Sequence, residues 1–190
     1  CRNGRVNACE HNETFGVQRD GTMTEFVAVP WQKVVTADGL SVRDCALVEP
    51  MSVGFHAVSR AQVTDIDTVM VIGCGMIGLL MIQLARIAGA ARIIAVEPIE
   101  EKRALTRRFG ADIAVAPDEA RADEQIDTVI ECVGKVAAVQ SAIAMAGKRS
   151  TVLLFLLTAP ADKAEIEPFA LFKKEITLRA SFINPYTRSE

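Results

Sequence analysis

The chain has 190 residues, half of them apolar, enough for one full domain and part of another. Its formal net charge is −3 and only 5% of its residues are aromatic, so no nucleic-acid or membrane-surface partner is expected. The first residue is Cys1 rather than a methionine, and no charged and then apolar leader follows, so the chain is expected to begin inside a longer protein.

In chain order, residues 1–24 are polar and read as loop. Glu25 to Pro30 alternates like a short strand, and Lys33 to Thr36 suggests another. Ala37-Asp38-Gly39 is a turn signal. From Ser41 to about Ala61 an apolar helical pattern runs, interrupted by Pro50 and Gly54. A different texture begins at Asp67. Strands are expected over Thr68–Ile72, Arg92–Val96, Asp112–Val115, Ile126–Cys132, Ser150–Leu157 and Ile176–Ile183. Helices are expected over Met76–Ala88, Glu100–Phe109, Lys135–Ala146 and Pro168–Lys173, with Ala116–Gln125 as a polar connection. The apolar stretch from Thr68 to Val96 is not read as a membrane span, because glycines and the polar Gln83, Arg86 and Arg92 break it.

Strands alternating with helices imply parallel pairing and right-handed crossovers. Six strands predict a doubly wound α/β sheet of the Rossmann type, in the order 3-2-1-4-5-6, over Asp67 to Phe182.

The segment Gly73-Cys74-Gly75-Met76-Ile77-Gly78 is a GxGxxG run, weak evidence alone. Here it follows an expected strand and opens an expected helix. Gly73 is assigned the tight turn, Gly75 the close approach of backbone to a pyrophosphate, and Gly78 the packing of helix on strand. The helix N-terminus at Met76 and Ile77 offers N–H groups and a positive dipole end. Glu97 ends the next strand, 19 residues beyond Gly78 and close to the ~20 expected of an acid that accepts both ribose hydroxyls of NAD. A carboxylate there repels a 2′-phosphate, so NAD is favoured over NADP. Lys102 and Arg103, one turn on, would attract that phosphate and keep NADP open. The plain alternative for Glu97 is a solvated carboxylate at a strand end. Cys74 reads as a space-filler, and Cys132 and Val133, at the carboxyl end of the fourth strand, as backbone contacts to the cofactor ribose.

Five cysteines, an odd count, sit in a chain without an export signal: Cys1, Cys9, Cys45, Cys74 and Cys132. A reducing compartment, the cytoplasm, is expected, with metal binding ahead of disulfide formation. Two thiolates, Cys1 and Cys9, do not make a tetrahedral zinc site by themselves.

CRNGRVNACE, FGVQRDGTMTEFVAVP, ALVEPMSVGFHAV and VIGCGMIGLL follow one another along the chain. In this order and spacing they resemble zinc-dependent medium-chain dehydrogenases of the alcohol dehydrogenase superfamily, nearest the polyol, sugar-acid and threonine branch. The resemblance implies that residues 1–45 are a remnant of a β-rich GroES-like catalytic domain, and that residues 46–190 are the NAD-binding domain. It makes Cys1 and Cys9 half of a four-cysteine structural zinc site, and Glu49 a ligand of a catalytic zinc, directly or through water. From the residues alone, Glu49 is an acid near a helix start, satisfied by the dipole. The resemblance places Val53 on the nicotinamide face and gives His56 a packing role. His11, in the cysteine loop, reads as exposed. The implied reaction is oxidation of a secondary alcohol, with hydride passing to NAD and zinc as the Lewis acid. Polyols or sugar acids rank first as substrates and L-threonine second. A zinc-free NADPH quinone or enone reductase is the outside alternative. The sixth strand implies a homodimer or a tetramer of dimers. With the remaining zinc ligands upstream of Cys1, the 190 residues alone are expected to bind NAD without turnover.

Overall fold

The computed structural model describes residues 6–122 and 125–184. Its helices and strands, in order, are α1 (Val42–Ala61), β1 (Thr68–Ile72), α2 (Met76–Ile87), β2 (Arg92–Val96), α3 (Glu100–Arg108), β3 (Ile113–Val115), β4 (Thr128–Glu131), α4 (Val136–Met145), β5 (Thr151–Leu154), α5 (Pro168–Lys174) and β6 (Thr177–Ala180). The chain divides into two compact units, Pro50–Phe182 and the residues before and after it.

All six strands lie in one parallel sheet in the order β3-β2-β1-β4-β5-β6, the order expected from the sequence. β1 is central. Its last residue, Ile72, stands opposite Val96 of β2 on one side and Glu131 of β4 on the other. Glu131 in turn stands opposite Leu154 of β5. The strands therefore end together at one edge. Between β1 and β4 the chain changes direction of winding, the place where doubly wound sheets open a crevice for ligands.

The strands read as near-continuous apolar runs because both faces of the sheet are covered. Alternate residues feed two cores. Val69, Val71, Ile93, Ala95, Ile130 and Leu153 pack with Ala57 and Val58 of α1 and Met81, Ile82 and Ala85 of α2. Met70, Ile72, Ile94, Val96, Val129 and Val152 pack with Ala142 of α4 and with Ala146. Gly54 permits the close approach of α1 to α2: a Cβ there would lie 2.8 Å from Cδ1 of Leu84.

The structure departs from the sequence reading in two places. The helical pattern after Ser41 is a single helix, and neither Pro50 nor Gly54 breaks it. Ser41 caps it, its Oγ accepting the Asp44 N–H at 3.1 Å and donating to the Asp44 carboxylate at 2.7 Å. Pro50 only removes the N–H that would have reached Ala46, and the helix carries through. The strands expected over Glu25–Pro30 and Lys33–Thr36 do not form. Trp31–Lys33 is a short 3-10 turn, and the rest has no regular structure, with Phe26, Val34 and Val35 exposed. A lone extended segment gains nothing without a ladder partner and a face to bury, and no strand among the described residues pairs with it. Among the described residues, no helix is long and apolar enough to cross a membrane.

Candidate cofactor site

The turn from β1 into α2 is built by its glycines. Gly73 has φ +87°, and a Cβ there would lie 2.5 Å from Cγ2 of Val133 and 3.0 Å from the Cys132 carbonyl oxygen. Gly78 faces the turn from inside the helix, where a Cβ would lie 2.0 Å from the Gly73 carbonyl oxygen. Gly75 differs from both. It is exposed, and a Cβ there would meet nothing within 4 Å. Among the described residues, nothing crowds the backbone at Gly75. Gly75 is also the N-cap of α2, with no side chain capping the helix. Leu79 N–H, bonded to the Gly75 carbonyl at 2.9 Å, makes the first turn. The N–H groups ahead of it form the end of a helix dipole at an exposed turn, suited to a phosphate. Met76 is exposed and Ile77 half-buried beside this opening.

Glu97 is buried, not a solvated strand end. Its Oε2 accepts the Cys74 N–H at 2.9 Å and its Oε1 the Ile99 N–H at 3.1 Å. A carboxylate offers about four lone-pair sites, so two remain for hydroxyl donors. The guanidinium of Arg103 is engaged within its own loop. It donates to the carbonyls of Glu97 at 2.7 Å and Pro98 at 2.8 Å, and pairs with Glu100. Of the two cations expected near a 2′-phosphate, Arg103 holds the strand end in place. Lys102 is half-buried, close enough to Cys74 to act on its thiol.

Across the crevice, Cys132 is buried and Val133 is exposed at the carboxyl end of β4. Neither thiol near the crevice suits a nucleophile. Burial first, and then the Glu97 charge, push the Cys74 thiol up to about 12. Burial, with Glu131 and Cys74 nearby, holds the Cys132 thiol well above the ordinary cysteine value. Glu131, which sequence reasoning did not single out, is fully buried. Its Oε1 accepts the N–H groups of Val133 at 2.7 Å and Gly134 at 2.9 Å. The available signal was an acid inside an apolar strand, two residues before a glycine turn. The glycine turn, Glu97, Cys132 and Val133 are thus gathered at one end of the sheet, and the residues present fit a dinucleotide.

Of the predicted metal donors, the structure describes Cys9 and Glu49. Cys1 lies outside the described residues. Cys9 is half-buried after a short 3-10 turn, its N–H bonded to the Val6 carbonyl. Glu49 is exposed on α1. Among the described residues, no group of three or more His, Cys, Asp or Glu side chains is placed to hold a metal ion. Val53 is half-buried on α1. His56 is half-buried on the same helix, and burial and the Arg60 charge lower its pKa, as suits a packing residue.

The geometry has counterparts among known proteins. A family model described as zinc-binding dehydrogenase matches residues 77–190. An erythritol/L-threitol dehydrogenase of Mycolicibacterium smegmatis is 33% identical over 152 residues, covering 73% of this chain and 42% of that protein. An L-threonine 3-dehydrogenase of Caldanaerobacter subterraneus subsp. tengcongensis is 35% identical over 118 residues, covering 62% of this chain and 34% of its own length. The crystal structure of a zinc-binding dehydrogenase from Sinorhizobium meliloti 1021, bound to NADP, matches at 34% identity with a TM-score of 0.92. That match covers 98% of this chain and 58% of the other. The chain spans about a third to a little over half of the length of these proteins. With the family model matching more than half of its residues and the sheet order to support it, the chain belongs to the zinc-binding dehydrogenase family.

Proposed function

We propose that this chain is the cofactor-holding part of an NAD-dependent dehydrogenase that oxidises a secondary alcohol of a polyol or sugar acid. The observation that carries the reading is the open space at Gly75, over an uncapped helix N-terminus and beside a buried acid. The first N–H groups of α2 take the pyrophosphate. Glu97 keeps lone pairs for the ribose hydroxyls while it braces the turn through Cys74. The backbone at Cys132 and Val133 borders the cofactor ribose, and Val53 the nicotinamide. A dinucleotide held there would supply the hydride acceptor, and these residues contribute orientation and the exclusion of water.

Membership of a zinc-binding family favours the zinc-dependent reading over a zinc-free quinone reductase. The roles of Cys1, Cys9 and Glu49 as zinc ligands rest on that resemblance. The described residues do not make up a donor set, and no step is assigned to the metal. NADP is a second reading, favoured by the NADP-bound relative and by Lys102, and L-threonine is a second substrate class, favoured by the threonine relative. The edge strand β6, with Leu178 and Phe182 partly exposed, is proposed as a homodimer contact, alone or within a tetramer. The free cysteines Cys9, Cys45, Cys74 and Cys132 suit the cytoplasm.

The test is a panel of polyols, sugar acids and threonine against the whole protein, with NAD and NADP in parallel and reduced nicotinamide as the readout. Turnover of a polyol or sugar acid with NAD is expected. Turnover of threonine alone, or with NADP alone, transfers the assignment to the second reading. The 190-residue chain by itself is expected to bind NADH and to turn over nothing.

A further inference from the structure

Glu131 has no role in the reading above, yet it is a fully buried acid at the end of β4, beside the crevice. Both lone pairs of Oε1 are engaged by the N–H groups of Val133 and Gly134. Oε2 is buried and has no hydrogen-bond partner. The turn that Glu131 closes in this way is wedged from both sides. Val133 fills the space where a Cβ on Gly73 would stand, at 2.5 Å. Gly134 lies so near the chain after β5 that a Cβ there would be 2.6 Å from the Leu157 carbonyl oxygen. The Cys132–Gly134 turn is one wall of the crevice, and its shape is set from beneath by a single carboxyl group.

We propose that Glu131 is a positioning residue of the cofactor site, its carboxyl group holding the Cys132–Gly134 turn against the glycine turn as a neutral acid. This rests on the dinucleotide reading of the crevice and extends it to a group that touches no ligand.

The geometry assigns the proton. An ionised carboxylate with one bare oxygen in an apolar interior lacks the solvation or cation that a buried charge needs. A neutral acid presents Oε1 as a carbonyl to two donors and carries its proton on Oε2. Among the described residues, the surroundings supply no countercharge. Ile72 and Leu154 flank Glu131 in the sheet, and α4, over that face, carries no charged side chain along its length. Lys135, at the N-cap of α4, is exposed. The other titratable neighbours are the thiols of Cys132 and Cys74, both held protonated by burial. Burial likewise raises the Glu131 pKa, against the smaller opposing effect of the Gly134 and Val133 N–H groups.

Two consequences follow in sign. The folded state holds the Glu131 proton to higher pH than the unfolded chain, so this contribution to stability is complete at low pH and is lost as pH rises through the folded value. The turn is disturbed over the same range, so dinucleotide affinity weakens as pH rises.

The experiment is a fluorescence titration of NADH into the whole protein and its Glu131→Gln variant, from about pH 5 to about pH 9, across the range a raised carboxyl occupies. Glutamine keeps the carbonyl-like oxygen and cannot ionise. The wild-type affinity is expected to fall by about tenfold across that range, and the variant to stay within about twofold of the wild-type low-pH value. Equal pH profiles in the two proteins overturn the proposal, as does a variant that binds poorly already at low pH. Should the variant not fold, the carboxyl carbon of Glu131 in the wild-type protein is followed by NMR with the amides of Val133 and Gly134. A shared midpoint above the ordinary glutamate range supports the proposal, and an ordinary or lower midpoint overturns it. If the wild-type protein binds no dinucleotide at all, the functional reading fails, while the NMR midpoint still decides the state of Glu131.

Discussion

Gly75→Ala separates the cofactor site from the stability of the fold. Gly75 has φ −68° and ψ −168°, an extended conformation open to alanine, and a Cβ there touches nothing within 4 Å. Loss of unfolded-chain entropy favours the variant by about 0.4–1 kcal/mol. Alanine is a poorer N-cap than glycine, which costs about 0.5–1 kcal/mol. The two effects nearly cancel, so the folding free energy should move by less than about 1 kcal/mol. Binding should behave differently. If a pyrophosphate passes over Gly75, the new methyl stands in its path, and affinity should fall at least tenfold, about 1.4 kcal/mol. Gly78→Ala is the control. Its Cβ would lie 2.0 Å from a backbone oxygen, so helix and strand must part, at a cost on the order of 3 kcal/mol or more in stability. The assay pairs urea denaturation with NADH titration on both variants. Wild-type affinity in Gly75→Ala would show that no ligand approaches that backbone. A large stability loss in Gly75→Ala would refute the open geometry itself.

Glu97→Ala leaves the N–H groups of Cys74 and Ile99 without their acceptor, so stability should drop by about 1–3 kcal/mol and NADH should bind more weakly. Unchanged NADH affinity would sink the ribose role. Asp112 feels burial that would raise its pKa, but the Ile93 N–H and the hydrogen bond and charge of Arg86 outweigh it, and the carboxyl is held low. Its contribution is present above the unfolded value and is lost as pH falls through the folded one. Because the Arg86–Asp112 pair is more than a third exposed, Arg86→Ala should remove only about 0.5 kcal/mol of that acid-dependent stability. Denaturation curves at neutral and acid pH test this, and an effect that grows towards acid would contradict the sign. Leu178→Lys, on the edge strand β6, should convert a dimer to monomers by light scattering, and an unchanged mass would remove β6 from the interface.

The sheet order was legible because β-branched runs alternate with helical ones, and glycine follows β1 directly and β4 within three residues. Gly73, Gly75, Gly78 and Glu97 stood out by their spacing together with the expected strand and helix around them. What Glu97 bonds to was not legible, since a strand-end acid can face solvent or turn inward, and the N–H groups of Cys74 and Ile99 draw it in. Arg103 read as a phosphate cation because sequence gives charge without direction, and its guanidinium instead bonds two carbonyls of its own loop. The chain around Phe26 read as a strand because alternation is local, whereas pairing depends on a partner that local pattern does not supply.

Glu97 and Glu131 lie close together at the ends of the two strands that flank β1, Glu131 level with Ile72 and Val96 and Glu97 one residue beyond Val96. Each turns inward and fastens a turn through two backbone N–H groups, but they divide those bonds differently. Glu97 takes one on each oxygen, which leaves each oxygen a further lone pair at the crevice for a hydroxyl. Glu131 takes both on one oxygen and leaves the other bare in the interior. The first arrangement suits a group that meets the ligand, and the second a group that shapes the wall beside it. The side of β1 that carries Glu97 should therefore decide which ribose is accepted. The side that carries Glu131 should decide how firmly, and its hold should weaken as pH rises.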